Sequence, residues 1–136
     1  MTVTSDESPV ISIIIPVLHE REAINSFLTN VCTLCSVHPF EVIVVDGSPT
    51  QETLKLITDK RIRLCSSVKG RGQQLNTGVA HATGDTLLFL HADTVLPSNA
   101  LMTIQAILQD DRLVGGAFDV AIDSQKLIFK VFSRLI

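Results

Sequence analysis

Apolar residues occur along this chain in short continuous runs and in helical spacings, and the two patterns alternate. Residues 10–17 read V-I-S-I-I-I-P-V, β-branched and almost unbroken, which predicts a strand buried on both faces. Pro16 cannot donate to a ladder, so it belongs at the strand's end. Over residues 20–35 the apolar positions Ala23, Ile24, Phe27, Leu28, Val31, Leu34 and Cys35 fall on one side of a helix. His38-Pro39 closes that helix. Residues 41–45, E-V-I-V-V, predict a second buried strand, which ends in Asp46. Gly47-Ser48-Pro49-Thr50 is a turn, with Thr50 as the expected cap of a short helix running through residue 58. Residues 61–65 read as a short third strand. Residues 69–78, K-G-R-G-Q-Q-L-N-T-G, predict a flexible loop running into a helix around Val79-Ala80-His81-Ala82, closed by Thr83-Gly84-Asp85.

The stretch at 86–97, T-L-L-F-L-H-A-D-T-V-L-P, organises the rest. Its uncharged run, Leu87 to Leu90, fits a central strand buried on both faces. Polarity then changes within one residue, to His91-Ala92-Asp93-Thr94. In an open α/β sheet, ligands bind beyond the carboxyl ends of the strands. His91 and Asp93, two apart in extended chain, are expected to face one side there. A helix over 97–108 follows, with Ala100, Leu101, Ile104, Ile107 and Leu108 as its apolar face. A further strand is predicted over 113–122, containing Gly115-Gly116, and an amphipathic helix over 126–136.

Strand and helix alternate five times, which implies an α/β fold: a Rossmann-like, mostly parallel sheet with helices on both faces. Residues 1–9 are polar and acidic and read as a flexible lead, with one domain over 10–136. No internal repeat or low-complexity linker interrupts it.

Composition narrows the function classes. The 136 residues are 46% hydrophobic and 18% charged, enough apolar material for a core. Net charge is −3, and Trp and Tyr are absent, which argues against a nucleic-acid partner. Cysteines number three, Cys32, Cys35 and Cys65, an odd count that suggests reduced thiols and a cytoplasmic setting. Cys32-x-x-Cys35 has redox spacing but lies late in a predicted helix, so a structural role is expected. No apolar run reaches the ~20 residues of a membrane helix.

Three predicted strands end in polar or acidic residues: His19-Glu20, Asp46 and His91/Asp93. Helices often begin with acids, so each alone is a weak sign. Together with a glycine-rich cationic segment they suggest one crevice for a polar, anionic ligand. A nucleoside diphosphate fits, with Asp46 accepting from a base or ribose and Lys69 and Arg71 contacting phosphates. Asp93 suits Mg²⁺ or Mn²⁺. Rival motifs are missing. The first strand runs into P-V-L-H-E-R-E, not G-x-G-x-x-G, and no P-loop or G-x-S-x-G elbow occurs.

The segments I-I-I-P-V-L-H-E, V-V-D-G-S, G-R-G-Q-Q-L-N-T-G and L-F-L-H-A-D-T resemble, in order and spacing, the family 2 glycosyltransferases of glycosyltransferase-A fold. The G-R-G-x-Q-L-N and L-H-A-D-T forms are most similar to a bacterial subgroup named for arsenosugar biosynthesis. The resemblance covers residues 11–118. It implies transfer of a sugar, hexosyl by analogy, from a nucleoside diphosphate sugar to an acceptor hydroxyl. Pro16 and Glu20 would line the nucleotide pocket, Asp46 would contact base or ribose, and Arg71 and Asn76 would cover the nucleotide. His91-Ala92-Asp93 stands at the metal-binding D-x-D. Its first Asp is replaced, so Asp93, helped by His91, would bind Mg²⁺ or Mn²⁺.

Family members continue further and carry an acidic pair whose Asp is the general base. Nothing after Phe118 matches it, and Asp119 and Asp123 come too early. The expectation is therefore a nucleotide-binding half truncated at its C-terminal end, with no catalytic base assigned. The other reading is a non-catalytic nucleotide-sugar-binding module, or an inactive fragment needing a partner. An exposed apolar face over 126–136 would favour a homodimer or association with the inner face of a membrane.

Overall fold

The β-branched runs do form the sheet. In the computed structural model, which describes residues 11–36 and 38–119, eight elements follow one another. They are β1 (Ile11–Val17), α1 (Ile24–Cys35), β2 (Phe40–Asp46), α2 (Glu52–Leu56), β3 (Arg63–Ser66), α3 (Arg71–His81), β4 (Thr86–Phe89) and α4 (Ala100–Ile107). The four strands make one sheet in the order β3-β2-β1-β4, and every pairing is parallel. This is the expected Rossmann-like α/β architecture. Right-handed crossovers place α1 and α2 on one face and α3 on the other. The chain reverses direction across the sheet between β1 and β4, and that reversal is the topological switch point.

The core follows from strand alternation. Ile13, Ile15, Val42 and Val44 are buried on one face, and Ile14, Ile43, Val45 and Cys65 form a cluster on the other. Leu75 of α3 and Ala82 pack against that second cluster. The helix comes in close because residue 78 is glycine: a Cβ there would lie 2.4 Å from Ile14 Cγ2.

Several expectations are corrected. The segment expected as a flexible loop is mostly helix, since α3 begins at Arg71. Two internal glycines each cost about 1 kcal/mol of helix propensity relative to Ala, and the packing of α3 on the sheet overrides them. Gly70, just before the helix, has φ +140°, where a side chain would be strained. Thr50 does not cap α2. Its N–H turns back to Ser48 Oγ at 3.3 Å, and Gln51 occupies the cap position at φ 53° with no side-chain bond. β4 is not central or buried on both faces among the described strands. It pairs only with β1, and Leu87 and Phe89 are exposed. Their face is the one α3 covers over β1 and β2, but that cover does not reach β4.

At the amino-terminal end of the sheet a polar cluster ties β1, β2 and the approach to β4 together. Buried Ser12 donates from Oγ to Glu41 Oε1 at 2.6 Å and accepts from the Gly84 N–H at 2.8 Å. Thr83 donates to the same Glu41 oxygen from its N–H at 2.6 Å and its Oγ1 at 2.9 Å. Burial pushes the Glu41 carboxyl upward. The bonds from Ser12 and Thr83, with the Arg63 charge, outweigh it and hold the group below the usual carboxylate range.

The described chain divides after Met102 into two compact units. In the second, residues 113–119 have no regular structure where a strand was predicted over 113–122. Gly115-Gly116 offers no side chain to pack, which weakens a strand there. The remainder of that stretch and the predicted helix over 126–136 lie outside the described residues. No described helix is long and apolar enough to cross a membrane.

Candidate functional site

At the carboxyl ends of β1 and β4, on the switch point, Pro16, Val17, Leu18, Glu20, Arg71, Gln74 and His91 line an open cleft of about 170 Å³. Three separate signals of the sequence meet there: the end of β1, the start of α3 and the residue after β4. Arg71 Nη2 lies in hydrogen-bond contact with His91 Nε2. The guanidinium can only donate, which makes Nε2 the acceptor of this contact. A larger cavity of about 220 Å³, lined by Cys32, Phe40, Glu41, Val42, Arg61 and Ile62, lies at the other end of β2. That is the wrong end of a parallel sheet for a ligand by the switch-point rule.

The predicted site residues do not all converge. Pro16, Glu20, Arg71 and His91 do. Asp46 ends β2 but is fully buried and does not line the cleft. Alternation along β2 sets it with Val42 and Val44, on the face opposite Val45, where α3 packs. Its Oδ1 accepts from the Ser48 N–H at 2.8 Å, and its Oδ2 is buried without a partner. Asn76 is an exposed residue of α3, about 140° around the helix from Arg71 at 3.6 residues per turn. Asp93 is exposed and sits in a turn closed by the Thr94 N–H to His91 C=O bond at 3.1 Å. The extended geometry expected for His91 and Asp93 is therefore replaced by a turn.

Sequence reasoning missed Gln74. Its residue is 5% exposed, and its Nε2 donates to Val17 C=O at 2.7 Å and to Val45 C=O at 2.9 Å. One amide thus joins the ends of β1 and β2 to the first turn of α3. Gly47 leaves the room for it, since a Cβ at 47 would lie 2.8 Å from Gln74 Cδ. The Gly47 N–H shares the Val17 carbonyl at 3.1 Å. Read as a helix, the segment would have put 71, 74, 75 and 78 on one face; read as a loop, it gave no such signal.

On the β1 side, His19 adopts φ 55°, a left-handed conformation costing roughly 1–2 kcal/mol in a non-glycine residue. Its Nδ1 lies 3.6 Å from Glu52 Oε2, which also contacts Arg21. The Arg21 hydrogen bond is the main reason the half-buried Glu52 carboxyl is held low. This arrangement fixes the entry of the chain into α1 and so the position of Glu20.

The chain matches the family described as "Glycosyl transferase family 2" over residues 12–134. The chain belongs to glycosyltransferase family 2. It is 30% identical to a PGL/p-HBAD biosynthesis glycosyltransferase of Mycobacterium bovis, over 90% of this chain and 56% of the relative, with the same figures for one from Mycobacterium tuberculosis. It is 32% identical to an uncharacterized glycosyltransferase of a Nostoc species, over 55% of this chain and 26% of the relative. This family 2 chain thus spans between about a quarter and just over half the length of those curated relatives.

Family membership makes a divalent ion worth testing against the residues present. Among the described residues no group of three or more His, Cys, Asp or Glu side chains could hold a metal. His91 Nε2 is already engaged by a guanidinium, and a cation beside it opposes a second cation. Asp93 alone supplies one exposed carboxylate. Mg²⁺ at a diphosphate site takes its remaining oxygen ligands from substrate phosphates and water, so Asp93 is the one carboxylate this chain would offer it.

The cysteines play no part in the cleft. All three are free. Burial, and then the neighbouring Cys32, pushes the Cys35 thiol up to about 11, and burial also raises Cys32 and Cys65. Such thiols are poor nucleophiles at neutral pH, in keeping with the structural role expected for Cys32-x-x-Cys35.

Proposed function

We propose that this chain binds the nucleoside diphosphate sugar of a glycosyltransferase that passes a sugar to an acceptor hydroxyl. The observation that carries the reading is the meeting of Arg71 and His91 over the switch-point cleft, in a family 2 chain. Arg71 opens α3, where unpaired backbone N–H groups and the helix dipole favour an anion. Lys69 is exposed just before it. The diphosphate lies at this cationic end, and Arg71 and His91 stabilise the charge that develops on it as the glycosidic bond breaks. Glu20 offers a carboxylate to hydroxyl donors on the β1 side. Asp46 Oδ2 is an acceptor without a partner, and a nucleoside donor that reaches it relieves a cost of about 1–3 kcal/mol.

Calorimetric titration of the chain with UDP, GDP, ADP, CDP and dTDP tests the reading. At least one should bind saturably. Arg71→Ala should weaken that binding by roughly 10- to 100-fold, the loss of a charge-assisted hydrogen bond. Each titration is run with Mn²⁺ and with EDTA. Affinity that rises with Mn²⁺ and loses the rise in Asp93→Asn would show Asp93 holding a metal. Failure of all five nucleotides to bind would refute the proposal.

A further inference from the structure

We infer that Gln74 is a nucleotide-recognising residue of this site, its amide locked so that Oε1 is offered to the nucleoside. The inference rests on the nucleotide-binding reading above and deepens it. Both atoms that hold the amide are carbonyl oxygens, Val17 C=O and Val45 C=O. Carbonyls only accept, so the amide nitrogen must face them and the orientation of the group is fixed. Both hydrogens of Nε2 are spent on the strand ends. Oε1 is left as the free atom, and no described residue donates to it.

The residue is 5% exposed, yet it lines the cleft beside Pro16, Arg71 and His91. Oε1 is not among the fully enclosed unpartnered atoms, so solvent reaches it and a ligand donor can take the water's place. Phosphate oxygens have none to give at neutral pH. In a nucleoside diphosphate the only donors are the hydroxyl and base N–H groups of the nucleoside, so the nucleoside is the part of that ligand this atom recognises. Arg71, one helical turn before Gln74, takes the anionic end. The spacing of three residues puts both on one face of α3.

Two probes separate recognition from a purely structural clasp. One is the nucleoside diphosphate that binds best, and the other is inorganic pyrophosphate, which has the charge and lacks the donors. Each is titrated against wild type, Gln74→Met and Gly47→Ala, the last of which crowds the amide from the β2 side. Circular dichroism and urea midpoints establish which variants are folded. Gln74→Met should weaken the nucleotide roughly three- to tenfold, the loss of one neutral hydrogen bond, while pyrophosphate changes much less. Gly47→Ala should shift the same way. Equal weakening of both probes, or nucleotide binding unchanged in a folded Gln74→Met, would overturn the assignment and leave the functional reading standing. A wild-type chain that binds no nucleoside diphosphate would overturn both.

Discussion

Replacing Gly78 by Ala adds one methyl group at the tightest point between α3 and the sheet. Its carbon would stand 2.4 Å from Ile14 Cγ2 and 3.3 Å from Ile14 Cγ1. An ordinary carbon–carbon contact is about 3.5 Å, so one side must retreat by about 1 Å. Ile14 is fully buried in β1, with Ile43 beside it, and has nowhere to go. The helix therefore lifts, and it carries Gln74 and Arg71 with it. Overpacking of this kind costs about 1–3 kcal/mol. Ala is a better helix former than Gly by about 0.8–1.0 kcal/mol, which offsets part of that. The expected net loss is up to about 2 kcal/mol, or a Tm lower by up to roughly 8 °C for a chain of this size. Urea unfolding at constant m measures it. Ile14→Leu removes the offending Cγ2 at similar volume and should itself cost less than about 1.5 kcal/mol. In the double variant the two changes should couple favourably by about 0.5–3 kcal/mol. Gly78→Ala at or above wild-type stability would mean that helix propensity governs this position and the close packing does not. Absence of coupling to Ile14→Leu would place the strain elsewhere.

Two further outcomes are expected. Gln51 holds φ 53° at the start of α2, so Gln51→Gly should stabilise the fold by about 0.5–1 kcal/mol, the left-handed strain of roughly 1–2 kcal/mol less the entropy cost of glycine; a loss in urea midpoint would contradict this. Glu41 is held below its usual range in the fold, so between the folded value and the unfolded ~4.3 the unfolded chain binds more protons and stability rises with pH. Its contribution is present at neutral pH and disappears as pH falls through the depressed folded value. Glu41→Gln should therefore lower stability at pH 7 and flatten the acid limb of the stability profile, and a variant with the wild-type slope below pH ~5 would show that the Ser12–Glu41–Thr83 cluster is not what titrates.

Local pattern alone determined most of the strands and their order along the chain. Residues 10–17 and 41–45 are β-branched and apolar, and a run of that kind has few other ways to bury itself. Helical spacing over 20–35 did the same for α1, although the helix starts only at Ile24. Glu20 and His91 could be named because strand ends in a parallel sheet are where ligands go; Arg71 came from the glycine-rich cationic segment, and Pro16 from the family resemblance. Tertiary structure decided the rest. Gly72 and Gly78 read as loop residues in sequence, and only the face of β1 against which α3 lies turns that segment into a helix. Gln74 carried no signal of its own in the sequence, and its place is set by Val17 and Val45, from two different strands, which present their carbonyls to it. Leu87 and Phe89 have the pattern of a buried strand, yet burial is a property of neighbours, and β4 has only β1 beside it among the described strands. Asp46 was expected in the cleft from its place at a strand end. Which face its side chain takes depends on the register of β2 against β1, Asp46 beside Val17, and a period of two residues sends it to the side away from α3.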